Sequence, residues 1–206
     1  QMKSVNALIS IGYLLSKSYF NFGKFELGPL EYTYSFNNLE GSRIRLGGRS
    51  TELFSNKFFV EGYGAYGIKD EKFKYYLNVA QSLNGKSIVQ FPAHYVSATV
   101  QHDVIEPGRG LSYLKGDGFF SSFRKNKPTK WLENDIYRLE HMVEFGNHVS
   151  ISTGFTHHER TTAGDLVFAT SSAAPDTIAN IVTNDLQIKL RWAPGEQFYY
   201  RNLNRK

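Results

Sequence analysis

From residue 30 onward, apolar and polar side chains alternate with a period of two, the repeat that sorts a β-strand into two faces. In residues 30–37, Leu30, Tyr32, Tyr34 and Phe36 share one side, opposite Glu31, Thr33, Ser35 and Asn37. Ile44 and Leu46 oppose Arg43, Arg45 and Arg49, and Phe73, Tyr75, Leu77 and Val79 oppose Lys74, Tyr76, Asn78 and Ala80. Val96, Ala98 and Val100 oppose Ser97, Thr99 and Gln101. Two further runs, 137–145 and 149–156, set Tyr137, Leu139, Val143 and Phe145 against Arg138, Glu140 and Glu144, and Val149, Ile151 and Phe155 against Ser150, Ser152 and Thr156. The clearest run is 182–192, where Val182, Leu186, Ile188, Leu190 and Trp192 alternate with Thr183, Asp185, Gln187, Lys189 and Arg191. Residues 57–67 form a blurred, Gly-rich member of the set, and 197–201 read as the start of another strand. Pro29, Pro92, Pro107, Pro128, Pro175 and Pro194 all fall between these runs, as residues that cannot donate to a central ladder must.

Two segments break the pattern. Val5, Leu8, Ile9, Gly12 and Leu15 follow spacings of three and four behind Ser4, which predicts a short helix over 4–18, although Val5, Ala7, Ile9 and Ile11 also suit a strand. Phe119, Phe120 and Phe123 predict a helical turn within 117–125. The chain thus divides into a helix and lead-in over 1–28 and strands over 29–206, with long connections at 106–134 and 157–180. The expected fold is all-β, an antiparallel up-and-down meander forming a transmembrane β-barrel or part of one. Short turns at Gly146–Asn147 and at Pro194–Gly195 would then face the opposite end from the long loops, the habit of outer-membrane barrels.

Alternation of this kind serves either of two solvents. In a soluble sandwich the apolar faces pack on one another, whereas in a membrane barrel they meet lipid and the charged faces line a wet interior. Strands of about 9–11 residues suit a tilted membrane crossing. Aromatics at strand ends, among them Phe73, Tyr137, Phe145 and Trp192, suit interfacial girdles. On the barrel reading Arg43, Arg45, Glu61, Lys74, Arg138, Glu140, Glu144, Asp185, Lys189 and Arg191 face the lumen together with Arg49. Because both signs occur, ion pairs that brace the interior are expected ahead of an anion-selective lining. The competing expectation is a soluble β-sandwich that binds a ligand.

Composition narrows the field. Sixteen Phe, 13 Tyr and 2 Trp favour strands over helices. The absence of Cys removes disulfides, thiol nucleophiles and Cys-ligated metals. The net charge of +5 identifies no compartment. Gly62, Gly64 and Gly67 match a dinucleotide-binding pattern literally, but that chemistry requires a helix directly afterwards, and a charged turn and another strand follow instead. His157, His158 and Glu159 form a His/Glu cluster expected in a solvated loop, without identifiable further metal ligands. His102 and Asp103 suggest acid–base work only faintly, for no nucleophile elbow or paired-carboxylate motif accompanies them. Basic and aromatic residues interleave over 119–131, through Arg124, Lys125, Lys127 and Lys130, without a nucleic-acid fold signature.

Several blocks resemble a Bacteroidetes outer-membrane family, the DUF5686 group: residues 25–37 (FELGPLEYTYSFN), 39–50 (LEGSRIRLGGRS), 62–70 (GYGAYGIKD) with 73–75 (FKY), and 190–199 (LRWAPGEQFY). The resemblance covers most of 4–206. It implies an outer-membrane location and a barrel that in the family follows a carboxypeptidase-regulatory-like periplasmic domain. No such domain and no signal peptide precede residue 1, so the chain reads as a fragment or processed piece. The resemblance supplies architecture rather than activity. The resulting expectation is a non-enzymatic scaffold, assembly or transport component without metal or small-molecule cofactor. Its expected partners are outer-membrane lipid and other outer-membrane or periplasmic proteins, not nucleic acid, with the two long loops as contact surfaces.

Overall fold

The computed structural model describes residues 19–108, 122, 128–169 and 177–196, and the backbone of 200–201 and 204–205. The helix expected over 4–18, and the turn expected over 117–125 apart from Ser122, lie outside the described residues. Among the described residues the regular structure is strand, save for a 3-10 turn at Leu30–Tyr32 and the 3-10 conformation of Ser122.

The strands are β1 (Phe20–Asn21), β2 (Phe25–Leu27), β3 (Tyr34–Asn37), β4 (Gly41–Ser50), β5 (Phe58–Gly67), β6 (Phe73–Ser82), β7 (His94–Ile105), β8 (Lys130–Glu144), β9 (Val149–Gly164), β10 (Phe168–Ala169), β11 (Thr177–Ile178), β12 (Asn180–Trp192), β13 (Tyr200–Arg201) and β14 (Asn204–Arg205). One sheet runs β1-β2-β4-β5-β6-β7-β8-β9-β12, with β3 also beside β4. Its pairings are antiparallel, which makes the fold an all-β meander. β10 and β11 form a hairpin within the β9–β12 connection. The strand expected from 197 is, over its described part, the two-residue β13, which pairs with β14 instead of β12.

Three boundaries differ from the periodic reading, each for a local reason. The run over 30–37 is not one strand. β2 and β3 both lie along β4, with Pro29 and the 3-10 turn inserted between them. Gly28 N donates to Gly47 O at 2.8 Å and Arg45 N to Thr33 O at 2.9 Å, so the ladder closes around the insert. The insert carries Tyr32 off the apolar face, its ring centroid 5.2 Å from the Arg45 guanidinium. β8 begins at Lys130 and β9 continues to Gly164, which shortens the two long connections to 106–129 and 165–179. The His157–His158–Glu159 cluster is therefore in a strand, not a solvated loop. Loop lengths also segregate less cleanly than expected. The short connections 38–40 and 68–72 fall at the same end as the long ones, and 51–57, 83–93 and 145–148 lie at the other.

The sheet is strongly curled. Arg43 on β4 forms a two-pronged ion pair with Asp103 on β7, Nη1–Oδ1 at 2.8 Å and Nη2–Oδ2 at 2.9 Å. Three strand spacings separate those residues, about 14 Å along a flat sheet. Contact requires that the face carrying them be concave. On that concave face Tyr63, Ala65 and Tyr76 form a buried cluster against which Tyr19 packs.

Candidate functional site

Register partners in a sheet point to the same side, so the ladder itself assigns the faces. Arg43 and Arg45 pair with Gly67 and Ala65, Ala65 with Lys74, and Glu61 with both Arg49 and Asn78. Asn78 leads through Thr99 to Arg138, and Ser97 faces Glu140. Arg138 leads through Thr156 to Asp185, and Glu144 through Ser150 to Arg191, with Lys189 in register between. All ten charged residues singled out above thus lie on one face, the concave one.

From β4 to β7 burial on the two faces is inverted relative to a water-soluble protein, and the convex face stays apolar and exposed as far as β12. Lys74 is 0% exposed and Arg43 and Arg45 are each 4% exposed, whereas Ile44 is 52% and Leu186 79% exposed. Leu46, Phe73, Leu77, Leu139, Phe155, Ile188, Leu190 and Trp192 join Ile44 and Leu186 on the convex, exposed side. Water-soluble monomers rarely expose apolar patches beyond a few hundred Å², and this one extends from β4 to β12.

Between β4 and β7 the concave face is filled by paired charges. Glu40 bridges Arg43 at 3.2 Å and Lys74 at 2.9 Å, and accepts from Asn37 Nδ2 at 2.7 Å. Lys74 also pairs with Asp70. The Tyr63 hydroxyl donates to Asp103, the carboxylate that clasps Arg43, and the Arg45 guanidinium lies 3.6 Å from the Tyr63 ring centroid. Nearer the other end, Arg49 pairs with Glu26 at 2.7 Å, and Tyr76 and Asn78 donate to Glu61 at 2.9 and 3.3 Å. Buried charge is tolerated only when paired and hydrogen-bonded, and this array meets that condition. Periodicity marked the arginines, Lys74 and Glu61. It missed Tyr63, Asp103, Glu40 and Asp70. Tyr63 shares the parity of Glu61, and Asp103 that of Gln101, so the ladder could have located both. Glu40 and Asp70 sit in turns, where alternation carries no signal.

Between β8 and β12 the same face opens. Arg138, Asp185, Lys189 and Arg191 are exposed, and Glu140 accepts from Ser152 Oγ at 2.9 Å. Arg191 pairs with Glu196 beyond the end of β12.

The remaining candidates are separated by the pleat. His102 points to the convex face, with Nδ1 2.7 Å from Asp135 Oδ1, while Asp103 points inward to Arg43. His157 contacts Asn184 Oδ1 at 2.8 Å on the convex side, and His158 contacts Asn134 Oδ1 at 2.8 Å on the concave side. Among the described residues no group of three or more His, Asp or Glu has metal-binding geometry. Gly62, Gly64 and Gly67 lie within β5, where a Cβ at Gly62 would stand 2.7 Å from Tyr76 O. Close backbone approach is what Gly62 provides, whereas Gly64 and Gly67 leave room for the side chains of Phe73 and of Asp70, Lys74 and Glu40.

The apolar stretch of the convex face does not begin at the same ladder position on every strand. On β4, β5 and β6 it begins at Ile44, Tyr66 and Phe73, which are register partners. On β7 and β8 it begins at the pair Val100 and Tyr137, with Val104 and Trp131 set apart beyond His102 and Asp135, and on β9 and β12 at the pair Phe155 and Leu186, with Val182 set apart beyond Asn184. Followed through the ladder, its start moves by about six residues over the six strand steps from β4 to β12, about one residue per strand. On the side the stretch recedes from, the convex face turns polar, with His102, Glu133, Asp135, His157 and Glu159.

Compared with known proteins, the chain matches no family model, no curated protein and no solved structure.

Proposed function

We propose that this chain forms a wall of an outer-membrane β-barrel, apolar face to lipid and charged face to a wet interior, serving as a non-enzymatic scaffold, assembly or transport component. The observation that carries the proposal is one continuous ladder whose convex face is apolar and exposed from β4 to β12, while its concave face buries paired charges from β4 to β7. A soluble sandwich needs a second layer over the apolar face, and among the described residues nothing covers it.

The drift of the apolar stretch adds a quantitative argument. One residue of rise, about 3.3 Å, per strand spacing of about 4.8 Å corresponds to strands inclined by about 35° to the band's normal. Membrane barrels tilt their strands by about 35–45°. From Tyr137 on β8 to Phe145 just past its end the apolar stretch then spans about 22 Å along that normal, close to the lipid-facing band of about 25 Å. Tyr66, Phe73 and Tyr137 mark one margin, and Phe58, Phe145 and Trp192 the other, as girdles do. On β8 His141 is the polar residue within the stretch, and its Nε2 lies 3.0 Å from that of His94 on the same face of β7, so each ring has a partner. Lipid also demands that the edges of the sheet be paired, so closure comes from strands that meet β12 and the β1–β3 edge.

Folding into detergent micelles tests the proposal. The expected result is a β circular-dichroism spectrum with a heat-dependent shift in gel mobility, seen only with detergent. A monodisperse β-rich monomer in plain buffer contradicts it.

A further inference from the structure

Along the concave face the balance of charge changes. Between β4 and β7 Arg43 and Lys74 meet carboxylates at 2.8–3.2 Å. Between β8 and β12, near the polar margin, lies a concavity of about 590 Å³ lined by Asn134, Arg138, Thr156, His158, Arg160 and Gln187. Among the described residues neither of its guanidinium groups pairs with a carboxylate. Arg138 Nε donates to Thr156 Oγ1 at 3.2 Å, which leaves the outer nitrogens of its fork uncommitted. Asp185 is the carboxylate in the lining.

The ladder places the two arginines astride one spot. Arg138 opposes Thr156 and Arg160 opposes Asn134, so the two flank the Ile136–His158 pair, two residues to either side. Their Cα atoms are about 13 Å apart along the strands, and both side chains line the same concavity on either side of His158. The Asn134 amide is held by donation from Nδ2 to Leu132 O at 2.9 Å, and its Oδ1 receives His158 Nε2 at 2.8 Å. The floor is thus fixed before any ligand arrives.

We infer that this concavity binds the phosphate group of a small solute. Two guanidinium forks on either side of the Ile136–His158 pair match the charge of about −2 and the tetrahedral oxygens of a phosphate, one oxygen edge to each fork, better than the single charge and planar oxygens of a carboxylate. A volume of this size exceeds a bare phosphate and matches small-molecule pockets, with Thr156, Gln187 and Asp185 as polar groups for the hydroxyls of an attached sugar. The inference rests on the proposal that the concave face is a wet interior. There the site lies near one mouth, where a phosphorylated solute is met and held.

Calorimetric titration of the chain in detergent micelles with glucose 6-phosphate, inorganic phosphate and glucose tests it. Both phosphates bind saturably and glucose does not. Arg138→Gln and Arg160→Gln each weaken phosphate binding by about tenfold or more, the loss of a charge-assisted contact. Asp185→Asn tightens it by about threefold, a gain that misfolding cannot mimic. Lys57→Gln, in the remote 51–57 connection, changes nothing. Absence of saturable phosphate binding, equal binding of glucose, or affinity indifferent to both arginine substitutions overturns the site. Heat-dependent gel mobility, read on the same samples, separates the two proposals. A shifted protein without binding contradicts the site alone, and a protein without a detergent-dependent shift contradicts the barrel whatever the titration shows.

Discussion

Arg43 shows why this protein tolerates charge where others place leucine. Its guanidinium is held by both oxygens of Asp103 and by Glu40, and Tyr63 donates to the same Asp103. Removing one partner from such a cluster leaves an uncompensated buried charge, which costs about 3–5 kcal/mol. Asp103→Ala should therefore lower stability in urea by that amount, and Tyr63→Phe by about 1.5–3 kcal/mol, the value of one hydrogen bond to a charged group. The Lys72–Glu133 pair, at 2.7 Å but with the lysine half exposed, provides the contrast. Lys72→Ala should cost no more than about 1 kcal/mol, because solvent screens the pair. Equal losses at the buried and exposed pairs would show that the concave network is not what braces the sheet. The identity of these partners was only half legible in the sequence. Alternation distinguishes Arg43 from Ile44, but the partner of Arg43 is 60 positions away and is determined by curl, which no local pattern records.

At the scale of the strand, β12 carries the argument in its simplest form. Leu186, Ile188 and Leu190 face outward and Gln187, Lys189 and Arg191 inward, along one backbone. An arginine at Ile188 should cost about 2–4 kcal/mol of folding stability in lipid, and an arginine at Gln187 close to nothing. Urea titration in vesicles checks the pair, and equal costs would mean that the two faces see the same solvent. Strand existence was legible wherever one face is apolar and the other polar. Strand length was not. β8 and β9 extend beyond the recognised runs because Glu133, Asp135, His157 and Glu159 make the convex face polar there, so alternation fades although pairing continues. The break between β2 and β3 escaped for a different reason. Tyr32 keeps the parity of its neighbours in the sequence, and only the 3-10 turn moves it to Arg45.

Over the whole molecule, local pairs become one inside-out wall. Each step from β4 to β9 adds the next strand in the chain, and β12 joins β9 after the intervening β10–β11 hairpin, so register propagates from neighbour to neighbour along the chain. What alternation could not reveal is the slow drift of the apolar stretch from Ile44 to Leu186, which needs the registers of seven strands at once. That drift, the concave charged face and the uncovered convex face support a single account in which lipid is the solvent of one side and water of the other. Because the chain contains no Cys, any position can carry a unique thiol label. The most direct measurement therefore places single cysteines at successive positions 186–191 of β12 in vesicle-reconstituted protein, attaches a bimane fluorophore, and records quenching by brominated lipid and by aqueous iodide. The account predicts a strict alternation, with lipid quenching at 186, 188 and 190 and iodide quenching at 187, 189 and 191. Iodide quenching at all six positions, or at none of them together with no response to brominated lipid, would contradict it.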